Sequence, residues 1–447
     1  MKRLSTGEAE WDLVFDEKGG IPDQDRANFL DEVAAEAPSD LFLFSHGWGT
    51  AQNDARSLYD SMFPMIRDAG TSLGKLGFAG IYWPSLWFPP TPAIAPPQAG
   101  STQADAGAVV DLNAGTAAVS GAEIAKSLAP GFPDEAQRKA LTELGGLIDD
   151  AEKPSVAPQS EQSKEQTLAH IHELLQSLVP PPRDEPEDSG ELSLLLTDDP
   201  KTAYGAVAEA FGSAPPGSSA QGIGDWFGRA VAGAKDAVRV LSYNIMKTRA
   251  GDIGRSGLGP LLRQLHTRAP DVRVHLLGHS FGARLVSFAL AGIDSPGNSP
   301  VHSLLLLQGA FSHWAFSPAQ GNPFGRPGAL NGMGDRVHGP LLATYSEFDW
   351  AVGVWYPRAS FLTGEGLQAK EADRWGGMGS DGYQDVDPSA EARIPAGLPP
   401  RFEPGTFYRV HAGDVINNVR GSSFSGAHSD IRKPEIAELA VLAARTA

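Results

Sequence analysis

The chain has 447 residues, enough for two average domains or one decorated domain, and its 41% hydrophobic content is ample for a core. It contains no Cys, which excludes disulfides, thiolate metal sites and a cysteine nucleophile. The net charge of −18 repels phosphate backbones and disfavours anionic lipid, so nucleic acid is not an expected partner.

In chain order, Leu41-Phe-Leu-Phe44 is a short apolar strand running into Ser45-His46-Gly47-Trp48-Gly49. A helix follows, with Asn53 or Asp54 as its expected cap and Ala55, Leu58, Tyr59, Met62 and Phe63 at helical spacing. Phe78-Ala-Gly-Ile-Tyr-Trp83 is a strand stopped by Pro84. Beyond residue 224 come a helix over Asp225–Ala250, a Gly-rich loop around Gly251–Gly259 and a helix over Leu258–Arg268. Strands are expected at Val272–Leu277, Ser303–Leu307, Leu341–Tyr345 and Thr406–Val410. A helix over Ala283–Leu290 follows the first of these, and a helix over Lys433–Arg445 closes the chain. Such alternation predicts an α/β fold, a mostly parallel central sheet with helices on both faces.

Residues 90–224 interrupt the pattern, dividing the chain into 1–89, 90–224 and 225–447. This middle part holds 20 acidic and 7 basic residues, leaving only −5 for the rest. Its start is Pro-, Ala- and Gly-rich, helices are expected at Pro133–Asp150 and Glu161–Leu178, and Pro180–Asp188 reads as a solvated linker. Leu168, Ile171, Leu174, Leu175 and Leu178 form an apolar stripe on the second helix. Two readings are open: an ordered helical cap over a site, or an inert flexible insertion.

Gly278-His279-Ser280-Phe281-Gly282 stands between the Val272–Leu277 strand and the Ala283–Leu290 helix. With 51 Gly in the chain chance alone could supply the pentapeptide; the strand before it and helix after it give it meaning. A sharp turn there projects the Ser280 hydroxyl at the top of the sheet. Serine needs a base to become a nucleophile, and histidine suits the task. His428, in a small-residue loop before the last helix, is the expected base. His279 is expected to pack beneath the turn, while His170 and His172 face different directions on one helix. Asp349, past the Leu341–Tyr345 strand in Tyr-Ser-Glu-Phe-Asp-Trp, is the expected orienting acid. Glu347, Asp335, Asp414 and Asp430 are its rivals.

An oxyanion forming on the substrate needs backbone donors. The N–H groups of Phe281 and of Trp48, in the Ser45–Gly49 turn, are the expected pair. Trp87, Phe88, Trp314 and Trp350 are expected to bind substrate, favouring an apolar acyl or alcohol group.

His46-Gly47-Trp48, Gly278–Gly282, Asp349 and His428, in this order, resemble the α/β-hydrolase superfamily of esterases and lipases, over residues 38–88 and 226–447. Gly278–Ser287, Asp349 and Gly426–Ile431 resemble poorly characterised bacterial hydrolases of that superfamily. The resemblance implies acylation of Ser280, proton transfer by His428 and orientation by Asp349. The insertion before the nucleophile strand departs from the common pattern, in which caps follow a later strand.

The sequence lacks His-Glu-x-x-His and a Gly-Lys-Ser/Thr phosphate loop, so no cofactor or metal is expected. Neither an apolar signal core nor an apolar run of the ~18 residues needed to span a bilayer is present. The expectation is a soluble, cytoplasmic protein without stable membrane insertion, with leaderless export left open. A carboxylic-ester hydrolase, esterase or lipase, is the leading function. An amidase or peptidase on the same triad, a secreted or injected phospholipase, and a non-catalytic binding scaffold are the alternatives.

Overall fold

The computed structural model describes residues 1–85, 120–132, 134–153, 160–179, 185, 198–211, 226–352, 375–419 and 426–445. Nine strands among them form one sheet: β1 (Lys2–Arg3), β2 (Ala9–Val14), β3 (Asp40–Ser45), β4 (Leu76–Tyr82), β5 (Arg273–His279), β6 (Val301–Leu307), β7 (Leu341–Tyr345), β8 (Ser389–Arg393) and β9 (Phe407–His411). Their order is β1-β2-β4-β3-β5-β6-β7-β9-β8, and every neighbouring pair is parallel except β1–β2. The helices are α1 (Asp23–Glu36), α2 (Gln52–Ala69), α3 (Gly121–Leu128), α4 (Glu135–Glu152), α5 (Glu161–Leu178), α6 (Pro200–Phe211), α7 (Trp226–Asp252), α8 (Gly259–Arg268), α9 (Phe281–Ala291), α10 (Met378–Asp381) and α11 (Pro434–Ala444).

Successive strand residues face opposite sides, and the apolar runs of β3, β5 and β6 feed two cores. Leu41, Leu43, Leu276, Leu304 and Leu306 meet α1, α7, α8 and α9 on one side. Phe42, Phe44, Leu277, Leu305 and Leu307 meet α2 and α11 on the other. Helices cover both faces, which is why these strands read as continuous apolar runs.

Helices α3 to α6 belong to the first core: Ile124, Leu141, Leu144, Ile171 and Tyr204 join it together with Val231 and Val238 of α7. Charged groups are sealed along this junction. The Arg249 guanidinium donates to the carbonyls of Pro84 (3.2 Å) and Gly131 (3.3 Å). Arg284, 1% exposed, pairs with the buried Glu185 and donates through Nε to the Lys247 carbonyl at 2.9 Å.

Several boundaries differ from expectation for local reasons. Helix α4 begins at Glu135 because the Asp134 carboxylate accepts the N–H groups of Ala136 and Gln137. The N-cap of α2 is Ala51, not Asn53 or Asp54, and no side chain caps it. Around Gly251–Gly259 the chain forms no loop: Ile253–Leu258 is a π-helical turn joining α7 to α8. Gly254 and Gly259 press there against the Leu285 and Ala289 carbonyls of α9, which leaves no room for side chains. Among the described residues no helix is long and apolar enough to cross a membrane. The expected linker over 180–188 lies outside the described residues except at Glu185.

Candidate active site

Strand β5 ends at His279 and α9 begins at Phe281, so Ser280 alone makes the turn, at φ 57° and ψ −123°. A non-glycine residue with positive φ is strained. Backbone bonds hold it in place: Ser280 N–H donates to the Leu307 carbonyl (3.1 Å), and its own carbonyl accepts from Ala283 (3.1 Å) and Ala310 (3.2 Å). Gly282 lies flat against the carbonyls of Ser45 and His46, drawing α9 onto the end of β3. The Phe281 N–H is the first of its helix and has no acceptor within that helix.

The end of β3 supplies the facing loop. His46 is buried, its ring stacked on Trp83 at 5.6 Å. Its N–H donates to Tyr59 Oη (3.2 Å), and the Tyr59 hydroxyl donates to the Ile81 carbonyl (2.5 Å). His46 Nδ1 lies 2.9 Å from the Gly47 carbonyl and so carries the proton, leaving Nε2 to accept from Trp83 N–H at 3.4 Å. Burial pushes this imidazole down to about 4. Gly47 then touches Ser280, bringing the backbone of residues 47–48 alongside the candidate nucleophile. The Trp48 ring packs on Phe281 (6.0 Å) and on Tyr243 (5.8 Å), which itself meets Phe281 at 4.9 Å. Helix α7 thus reaches the side of this loop.

His428 Nδ1 lies 2.8 Å from Asp349 Oδ2, with both residues buried. A carboxylate oxygen accepts, so Nδ1 is the donor, and in the neutral imidazole Nε2 is the nitrogen without a proton. The pairing follows from the backbone: Asp349 and Gly426 form an antiparallel bridge, and Ala427 N–H donates to the Phe348 carbonyl at 2.8 Å. Trp350, half-buried, packs its ring over Gly426. His279 connects this pair to the serine next to it in the chain. Its ring lies 4.9 Å from that of His428, and its Nε2–H donates to the His428 carbonyl at 2.9 Å. Burial, with His428 alongside, pushes His279 down to about 3, so it is a neutral donor. Ser280 Oγ and His428 Nε2 share no hydrogen bond among the described residues. Such contacts commonly close only when substrate is bound.

Three of the four rival carboxylates are engaged elsewhere, and the fourth is exposed. Glu347 meets His411 at 3.0 Å, Asp414 meets Arg393 at 2.7 Å, and Asp430 accepts the N–H groups of Asn417 and Asn418. Asp335 sits exposed in the 3₁₀ turn Met333–Arg336. His170 reaches Glu143 at the surface, whereas His172 is buried against Tyr204. Trp314 packs edge-on to His313 at 4.8 Å, in the segment after β6. Trp87 and Phe88 lie outside the described residues. Among the described residues no group of three or more His, Cys, Asp or Glu could hold a metal ion.

Tyr59, Tyr243, Gln308 and Thr344 were not foreseen at the site. Tyr59 reads as a helical core position, Tyr243 only as part of the Asp225–Ala250 helix, and the only sign of Gln308 is a polar residue directly after a buried leucine run. Searches against family models, curated proteins and solved structures gave no match to this chain.

Proposed function

We propose that the chain is a serine hydrolase of the α/β-hydrolase type that cleaves carboxylic esters, as esterase or lipase. The observation carrying this reading is the strained Ser280 turn, flanked by the Gly47 loop and joined through His279 to a buried His428–Asp349 pair. His428 Nε2 takes the Ser280 hydroxyl proton as Oγ attacks the ester carbonyl. Asp349 holds the Nδ1–H tautomer and balances the imidazolium. The N–H groups of Phe281 and Trp48 receive the developing oxyanion. Collapse releases the alcohol, which takes its proton from His428. Water, deprotonated by the same base, then frees the acid from Ser280. The half-buried rings of Trp48 and Tyr243, packed on the buried Phe281, suit an apolar acyl group, and the absence of Cys suits a cytoplasmic setting.

The test is fluorophosphonate capture together with hydrolysis of p-nitrophenyl esters from acetyl to palmitoyl, in wild type and Ser280→Ala. Capture and turnover that vanish in Ser280→Ala support the reading, and the chain-length profile separates esterase from lipase. Labelling that persists in Ser280→Ala removes Ser280 as nucleophile.

A further inference from the structure

Resting on the hydrolase reading above, we infer that Gln308 is a positioning residue that fixes the Asp349 carboxylate in the plane His428 requires. Gln308 directly follows β6, is fully buried and has φ 48°. Glycine would relieve that backbone conformation, so the position retains a strained residue with a side chain.

The side chain has a defined set of partners. Its Nε2 donates to Asp349 Oδ2 at 2.9 Å and to the Gly379 carbonyl at 3.1 Å. Its Oε1 accepts from the Thr344 hydroxyl at 2.9 Å, and its own N–H donates to that hydroxyl oxygen at 3.1 Å. A flipped amide would aim Oε1 at a carboxylate and a carbonyl, three acceptors facing one another, so the partners fix its orientation.

The consequence falls on Asp349. Oδ2 receives donors from both His428 Nδ1 and Gln308, while Oδ1 receives the Val352 N–H at 3.0 Å. Three donors from three separate segments leave the carboxylate one rotational setting. Because Gln308 and His428 compete for the same oxygen, Gln308 also moderates how strongly Asp349 holds the imidazole. Thr344, on the neighbouring strand β7, acts one step further back by aiming the amide.

The test uses Gln308→Met, which keeps length but has no donor, and Thr344→Val, which keeps shape but loses the hydroxyl. The first readout is the low-field proton resonance of His428 Nδ1–H, which is independent of turnover. The second is the rate of fluorophosphonate labelling at Ser280. In Gln308→Met the resonance moves downfield as Oδ2 loses its competing donor, and labelling slows about tenfold, a fraction of what general-base catalysis supplies. Thr344→Val shifts the resonance in the same direction by less, and adds nothing in the Gln308→Met background. An unmoved resonance in folded Gln308→Met overturns the inference; if that variant does not fold, an unmoved resonance in Thr344→Val does so. A wild type that fails to label overturns the hydrolase reading instead, and the His428 resonance still decides the role of Gln308.

Discussion

Gly47 lies so close to Ser280 that a Cβ on the glycine would stand 2.7 Å from the Cβ of the serine. The end of β3 and the turn after β5 therefore meet backbone to side chain, with no space between them. Gly47→Ala is expected to push the 46–48 backbone away and withdraw a donor from the oxyanion position. The expected loss in ester turnover is about 10²–10³-fold. Steady-state kinetics beside a urea melt checks this: turnover falls while the fold persists.

Asp349→Asn keeps the shape of the pair but offers His428 an amide that favours the wrong tautomer. Turnover is expected to drop by about 10⁴-fold, as for loss of the acid in a comparable triad. The same comparison for Glu347→Gln, whose carboxylate pairs with His411, is expected to leave turnover near wild type. An equal loss in both variants would reassign the acid.

Two buried histidines make stability depend on pH. Burial holds His46 at about 4 and His279 at about 3, below the ordinary ~6.5. Below that ordinary value the unfolded chain binds protons that the folded chain refuses. Their contribution is complete above pH ~6.5 and is lost as pH falls toward those depressed values, at about 1.4 kcal/mol per unit per group. Urea midpoints are expected to fall from pH 7 to pH 5, and His279→Gln is expected to remove one proton's share of the slope.

Glu185 meets Arg284 where both are buried. Glu185→Leu leaves that guanidinium sealed in without its carboxylate, and is expected to cost about 3–5 kcal/mol. Combining it with Arg284→Met is expected to recover most of the loss. Denaturant melts of the two single variants and the double variant decide this.

What was legible in the sequence was what is written locally. β3, β5, β6 and β7 are continuous apolar runs, and Ser280, Asp349 and His428 each follow a recognisable element. β2 (AEWDLV) alternates and is short, α1 has few apolar residues, and β8 (SAEAR) is largely exposed, so none of them stands out without its partners. Gln308 and Tyr243 matter only because β7 and the 47–48 loop fold against them, a relationship that no local pattern encodes. The glycines of 251–259 suggested a loop because the contacts of Gly254 and Gly259 with α9, and of Gly257 with Gly19, come from elsewhere in the chain.

The bridge between Asp349 and Gly426 has a kinetic meaning as well as a geometric one. Asp349 and His428 are held on two segments fastened by a short clasp, far smaller than the sheet beneath it. Clasps of this size open locally without global unfolding, and the pair is then scattered even though the fold is whole. Hydrogen exchange at the Ala427 amide, which donates across the clasp, reads that opening directly. Under the proposed hydrolase reading, the fraction of molecules ready to react at any instant is then expected to follow an equilibrium of its own.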